Sequence, residues 1–507
     1  MKLGIGAWQA VDNENRSTAR ENARVTVWEI AALAGCAVAF VALRFPLYVE
    51  PGIGLGWHSD AALLGLMARA ITAGDYPLLF WASDYLAPLI SLFTAVVGST
   101  ILPEVGPLAL RITVAIEVLM AMLLFHVTLR RAVGVPASLL GSFWFVAGPG
   151  FLFKLTYAPL GHEDALLLSA IIFWYVARTR FVRAHHWLIL GFLAGSGVWI
   201  HRGTLFVLLP ALLLILVDDC RFLRRAEIAV AGAILAAGAV LGYTPAIIGR
   251  FGFDQRLYAP EKSPWTVGHL FSRIGDVVTH DFWLLVGADT PVGWIGGIAI
   301  AALLVSAVRH FQPSRESWLA AGVVATSFAV FIVSNDVARG AVRYIILTIP
   351  ILYAFAAGEI VRLGGRWRAV GLLIAGLITV SLYVPRWQQM RAVVAAQLEV
   401  HESWGGFDPR PALREIAEGG YTVCYANVWV AHKLEWLSDT GVRFVPYRSV
   451  NRRMVESLRL GALPGQKCFV DRRGGVHALT AEQEMALRVD TLWGMHGWRR
   501  PGNPVPW

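Results

Sequence analysis

Charge is what this sequence has little of. Of its 507 residues 16% are Asp, Glu, Lys or Arg and 56% are hydrophobic, whereas a soluble globular chain carries roughly 25% charge. That deficit excludes an ordinary soluble domain. Cysteine is scarce too, and four residues are too few for a disulfide scaffold. Cys36 lies in an apolar run and Cys220 in a basic loop. Cys424 and Cys468 lie in strand-like runs of the polar C-terminal region, bridged if that region is extracytoplasmic and otherwise two buried thiols. No internal repeat or low-complexity tract occurs. The polar start Met1 to Arg24 has no small-residue cleavage pattern, so no cleaved signal peptide is expected. Gly52-Ile53-Gly54-Leu55-Gly56 lacks the strand–helix setting of a nucleotide site.

What is present is a series of apolar runs through the first 385 residues, near the roughly 20-residue length of a bilayer span. The net charge of +9 gathers in the short loops between them, as the positive-inside rule expects, so no nucleic-acid partner is inferred. Arg16, Arg20 and Arg24 put the N-terminus inside. Arg178, Arg180 and Arg183, then Arg221, Arg224 and Arg225, then Arg309 and Arg315, then Arg362, Arg366 and Arg368 mark further inner loops. Spans fall near 27–44, 165–177, 187–200, 203–217, 226–248, 292–308, 317–333, 343–360 and 369–385. Asp60, residues 161–164, His201-Arg202, the loop 250–290 and Asn335 to Arg343 then share the outer side.

Three apolar runs lie between Asp60 and Glu163, near 78–100, 107–128 and 137–157. Both acidic sites are outside only if an even number of these cross. One of the first two is therefore expected to be interfacial or re-entrant, giving about eleven full crossings and an outer C-terminus. Segment 59–73 reads as a short helix capped by Ser59 or Asp60. Leu63, Leu64, Met67, Ala70 and Ile71 form one stripe, suited to lying flat at the interface. After Pro385 the composition turns polar. Strands at Tyr421 to Tyr425, Val442 to Val445 and Cys468 to Val470 alternate with helices near 411–418, 427–437, 451–460 and 480–489. The expected fold is thus an all-α polytopic membrane domain over 1–385, with a small extracytoplasmic α/β domain over 386–507.

Carboxylates at a membrane surface are costly to desolvate and so point to function. Asp60, in Trp57-His58-Ser59-Asp60, could take the proton of an acceptor hydroxyl attacking a sugar carbon, or it is an ordinary N-cap. Asp84 sits at the mouth of the next run and is a second catalytic candidate. Glu163, in Gly161-His162-Glu163-Asp164, is the third. With His58, His162 and Asp164 nearby, a divalent cation such as Mg or Mn could sit on Asp60, His162 and Glu163. Helix capping is the plainer reading of the same acidic cluster. His201-Arg202, Arg339 and Arg343-Tyr344 lie at outer span ends, where arginine is disfavoured. Their guanidinium groups can grip a lipid phosphate, or they snorkel. Arg256 and Lys262 in the long loop are weaker binding candidates. Glu117 and His126 are stray polar residues that face protein inside the bundle.

Taken in order, these residues resemble the membrane-embedded glycosyltransferases of the GT-C class, which include aminoarabinose transferases, protein O-mannosyltransferases and oligosaccharyltransferase catalytic subunits. His58-Ser59-Asp60 matches the essential aspartate of their first outer loop. Asp84 with Pro88 and Gly161-His162-Glu163-Asp164 are similar to the later acidic motifs. Gly191-Phe192-Leu193-Ala194-Gly195 through His201-Arg202 to Leu209-Pro210, and Arg343-Tyr344 to Pro350, resemble the basic-turn and arginine–tyrosine–proline motifs. Ala61 stands where the mannosyltransferases carry a second acid. The resemblance implies an enzyme of a bacterial inner membrane. It would move a sugar, with inversion, from a polyprenyl-phosphate donor to a glycan, lipid or protein acceptor hydroxyl. The alternative is a transporter or flippase for lipid-linked sugars, which calls for an inner-face site and paired helix breaks.

Overall fold

The computed structural model describes residues 26–49, 59–79, 87–157, 159, 161–251, 266–334, 342–395, 409–438, 441–447, 465–471, 474–485 and 487. It begins with a capped helix, α1 (Val27–Leu43), whose Thr26 and Glu29 form a capping box. The chain continues through α2 (Ser59–Thr72), α3 (Leu89–Thr100), α4 (Pro107–Val133), α5 (Val135–Ala147), α6 (Gly150–Leu155) and α7 (His162–Arg178). Then come α8 (Ala184–Ile200), α9 (Leu205–Asp218), α10 (Arg225–Phe251), α11 (Val267–Asp276), α12 (Pro291–Arg309), α13 (Arg315–Val333), α14 (Thr348–Arg366) and α15 (Arg368–Ala395). Among the described residues α4, α10, α12, α13 and α15 are long and apolar enough to cross a membrane. Val240, Leu241 and Ile248 on α10, and Leu372, Leu373 and Val380 on α15, stay exposed. In a bilayer such side chains face hydrocarbon.

The odd run is α3. Its 12 residues rise only about 18 Å, too little to cross. Its later half packs on α2, where Ala95 meets Ala68 and Ile71. Gly98 packs on Val105, and the Arg69 guanidinium of α2 donates to Val105 O at 3.2 Å. The third run breaks at Gly148, where φ is 62°, and restarts as α6. The Gly150 N–H there donates to Asp289 at 3.0 Å, and Asp289 in turn pairs with Arg386.

Two differences from the sequence reading have clear causes. Helix α14 starts at Thr348, because 342–345 form a tight 3₁₀ turn first. Pro350 then falls in the opening turn of the helix, where its missing N–H costs nothing. Helix α15 runs through Pro385 to Ala395. It continues because Leu382, Arg386, Met390 and Val393 recur at helical spacing and are all buried, the last two against Leu47, Phe153 and Tyr157.

Helices α8 and α10 touch backbone to backbone. A Cβ at Gly191 or Gly195 would strike the carbonyls of Leu235 or Ala239, and one at Gly238 or Gly242 those of Leu188 or Phe192. Such small-residue spacing lets membrane helices approach closely. Gly195→Leu is expected to force them apart at a cost of about 1–3 kcal/mol. The measure is a lower melting temperature in detergent; an unchanged one would refute the close contact.

The C-terminal part holds α16 (Pro409–Glu418), α17 (Val428–Leu437) and a four-stranded sheet in the order β2-β1-β3-β4. Its strands are β1 (Val423–Asn427), β2 (Arg443–Tyr447), β3 (Lys467–Val470) and β4 (Val476–Ala478), with β1 parallel to β2 and β3. Cys424 and Cys468 are paired across β1 and β3 as a disulfide, so the bridged reading holds. The helix expected at 451–460 lies outside the described residues.

Candidate functional site

The acidic cluster opens α7. Gly161 is its N-cap, in the left-handed region at φ 81° and with no side-chain cap bond. His162, Glu163 and Asp164 are all buried. Asp164 does not cap its own helix. Its Oδ2 accepts the Ile90 N–H at 3.0 Å, in the first turn of α3, where a carboxylate also suits the positive helix end. The cluster thus joins α7 to α3, which local capping alone would not do.

The basic turn between α8 and α9 lies against it. The rings of His162 and His201 meet edge to face, with centroids 4.7 Å apart. His201 Nδ1 accepts the Gly203 N–H at 2.9 Å, so in the neutral ring the proton sits on Nε2. Burial first, then the nearby Arg202 and Arg343 guanidinium groups, push the His201 pKa down to about 4 from 6.5. A lone pair committed to Gly203 and a proton on Nε2 leave His201 unsuited to bind a metal, which needs the opposite arrangement. The ring instead offers Nε2–H as a neutral donor.

The sign of the pH effect follows. Above about pH 6.5 His201 is neutral whether folded or not, so the shift has no effect there. As pH falls from 6.5 toward 4, the unfolded chain takes up a proton that the fold refuses, and stability drops. His201→Asn keeps an acceptor for Gly203 and cannot titrate. Its melting temperature should fall less steeply between those pH values than that of the parent protein; parallel curves would refute the assignment.

Arg343 lies in the 3₁₀ turn before α14, half-buried, while Arg202 is exposed. Tyr344 shares the Arg343 turn, though its side chain is outside the described set. The stretch holding Asp84 is also outside, but its flanks are fixed at this end. Trp199 Nε1 donates to Leu78 O at 2.8 Å, and Ala87 N–H to Ile200 O at 3.3 Å. Asp60 is the second residue of α2; its side chain, His58, Arg256, Lys262 and Arg339 lie outside the described residues. The structure therefore brings together His162, Glu163, Asp164, His201, Arg202 and Arg343.

One residue of this cluster was underrated by the sequence reading. Glu117 of α4 is buried and within hydrogen-bonding reach of Asp164. The signal was available, since an ionisable side chain midway along an apolar run rarely sits there without a partner. As for a metal, no three His, Cys, Asp or Glu among the described residues are placed to hold one. His162 and Glu163 would need a further carboxylate, as the expected set with Asp60 requires.

The bundle of apolar helices with its small C-terminal sheet is a fold seen in solved structures. Two solved structures share it. ArnT from Cupriavidus metallidurans bound to undecaprenyl phosphate superposes with a TM-score of 0.59 at 12% identity, covering 88% of this chain and 94% of that one. The same protein in the apo state gives 0.56 at 13% identity, covering 90% and 94%. No family model matches the chain, and no curated protein does.

Proposed function

We propose that this protein is an inverting glycosyltransferase that moves a sugar from a polyprenyl-phosphate donor to an acceptor hydroxyl at the outer face of a bacterial inner membrane. The observation that carries the reading is the meeting of buried His162-Glu163-Asp164 and His201 with the guanidinium groups of Arg202 and Arg343 at one end of the bundle. An ArnT structure of the same fold was solved with undecaprenyl phosphate, which supports a lipid phosphate as the donor's leaving group.

In this reading Asp60 takes the proton from the acceptor hydroxyl. The freed oxygen attacks the anomeric carbon from the face opposite the phosphate, and the bond to the phosphate oxygen breaks. The electron pair leaves with the phosphate, whose growing charge is met by Arg202 and Arg343. His201, held neutral, can add a hydrogen bond without placing a third charge there. Glu163 and Asp84 are further acid–base candidates. Arg256, Lys262, Arg339 and Tyr344 remain donor-binding candidates. A divalent ion, if bound by His162, Glu163 and Asp60, would supply extra positive charge near the phosphate.

The test is release of polyprenyl phosphate by purified protein from a panel of lipid-phosphate sugars with candidate acceptors, with and without chelator. Acceptor-dependent release supports the reading, and loss with chelator adds the metal. Movement of intact lipid-linked sugar without cleavage would replace the reading with a transporter.

A further inference from the structure

Helix α17 has two working faces. Val430, Ala431 and Leu434 pack into the core beside the sheet, with Cys424 and Phe444. Trp436 packs instead into the core of the helical bundle. Its indole lies flat over Gly65 of α2, where a Cβ would overlap the ring. One turn further along α2, the Arg69 guanidinium stacks on the same indole at 4.3 Å. Arg69 also donates to Val105 O, at the approach to α4.

From Ala61 to Ala68 α2 is consequently covered on every side. Ala61, Ala62, Leu63, Leu64, Leu66, Met67 and Ala68 are all buried, although a helix lying flat on a membrane would expose one face. Trp436 is 1% exposed. Its Nε1–H has no acceptor among the described residues, so the contact rests on shape and on the cation above the ring rather than on a hydrogen bond. β1 runs directly into α17, and the disulfide from Cys424 to Cys468 ties that strand to β3.

We propose that Trp436 is a positioning residue: seated over Gly65, it fixes the rotation and tilt of α2 and so places Asp60, the second residue of that helix. The proposal rests on the reading of Asp60 as general base. A 14-residue helix is marginal by itself, so its orientation is set by what it packs against. A base displaced by about 1 Å loses on the order of a hundredfold in rate, and a small rotation of α2 about Gly65 moves its end by that much.

The test uses the full-length protein in nanodiscs. Trp436→Ala should lower kcat by about 10- to 100-fold, with affinity for polyprenyl phosphate unchanged. Amide hydrogen exchange across residues 61–72 should speed up. Trp436→Phe keeps an aromatic face but removes the second ring of the indole, part of the bulk seated over Gly65, so it should show a smaller loss than alanine in both readouts. Gly65→Ala pushes on the same contact from the other side and should repeat the alanine signature if Trp436→Ala fails to fold. Parent-like kcat in the alanine variants or unchanged exchange in 61–72 would each overturn the proposal. If the parent transfers sugar from no donor, the reading of Asp60 fails. The exchange data still decide whether Trp436 holds α2.

Discussion

Asp60→Asn is expected to abolish sugar transfer while leaving the protein folded and able to bind its lipid. The amide has nearly the shape of the carboxylate but cannot accept the acceptor's proton, and general-base removal costs about 10²–10⁴ in rate. Stability should hardly move, because Asp60 lies in the first turn of α2 and an acid there contributes about 0.3–1 kcal/mol. Lipid-phosphate affinity should hold as well, since that contact is assigned to Arg202 and Arg343. Turnover, melting temperature and polyprenyl-phosphate binding measured on one preparation separate these effects. Turnover within about tenfold of the parent would remove Asp60 from the chemistry, since that loss lies below the general-base range.

Arg315→Ala is expected to produce the largest loss of stability, from the end of the bundle opposite the site. Arg315 donates to Asp218 Oδ2 at 2.8 Å, to Asp219 Oδ2 at 2.8 Å and Oδ1 at 3.1 Å, and to the Val176 and Thr179 carbonyls. It therefore joins the ends of α7 and α9 to the start of α13. Asp219 is buried; without Arg315 it keeps only Arg180 and the Phe181 N–H. Leaving that buried charge with the half-exposed Arg180 as its remaining arginine costs about 3 kcal/mol, the lower end for a broken buried pair. The check is thermal unfolding in detergent together with the yield of monodisperse protein. A shift no larger than that of an exposed pair such as Arg221 with Asp218 would show that Asp219 does not depend on Arg315.

The same network shows how far loop charges could be read from the sequence. Their placement at span ends was legible, because hydrocarbon excludes charge wherever the chain goes. Their partners were not. Glu29 accepts from Arg130 and contacts His126 Nε2 at 2.8 Å across about a hundred residues of sequence. Arg131 reaches Glu316 at 3.6 Å. Such pairs depend on which helices are neighbours, and periodicity does not encode that.

Helix α2 is the sharpest case. Its boundaries and its stripe of Leu63, Leu64, Met67, Ala70 and Ile71 followed from spacing alone, and all but the half-buried Ala70 are buried. Its surroundings did not follow, because the second face is covered by α17, some 370 residues later. The α3 run is similar. Parity between Asp60 and Glu163 called for one apolar run not to cross, and α3, with 12 residues and contacts to Asp164 and Val105, is short enough to be that run.

The sequence alone determined the class of fold, the run of apolar helices, the polar C-terminal α/β part and the residue types gathered for chemistry. Each of these is a local consequence of transferring side chains between water and hydrocarbon, or of turn and strand propensity. Tertiary structure decided that His162 meets His201, that Glu117 reaches Asp164, and that Trp436 rests on Gly65. Those contacts arise when helices distant in sequence pack to exclude water and lipid, and their partners are chosen by shape across the bundle rather than by any pattern along the chain.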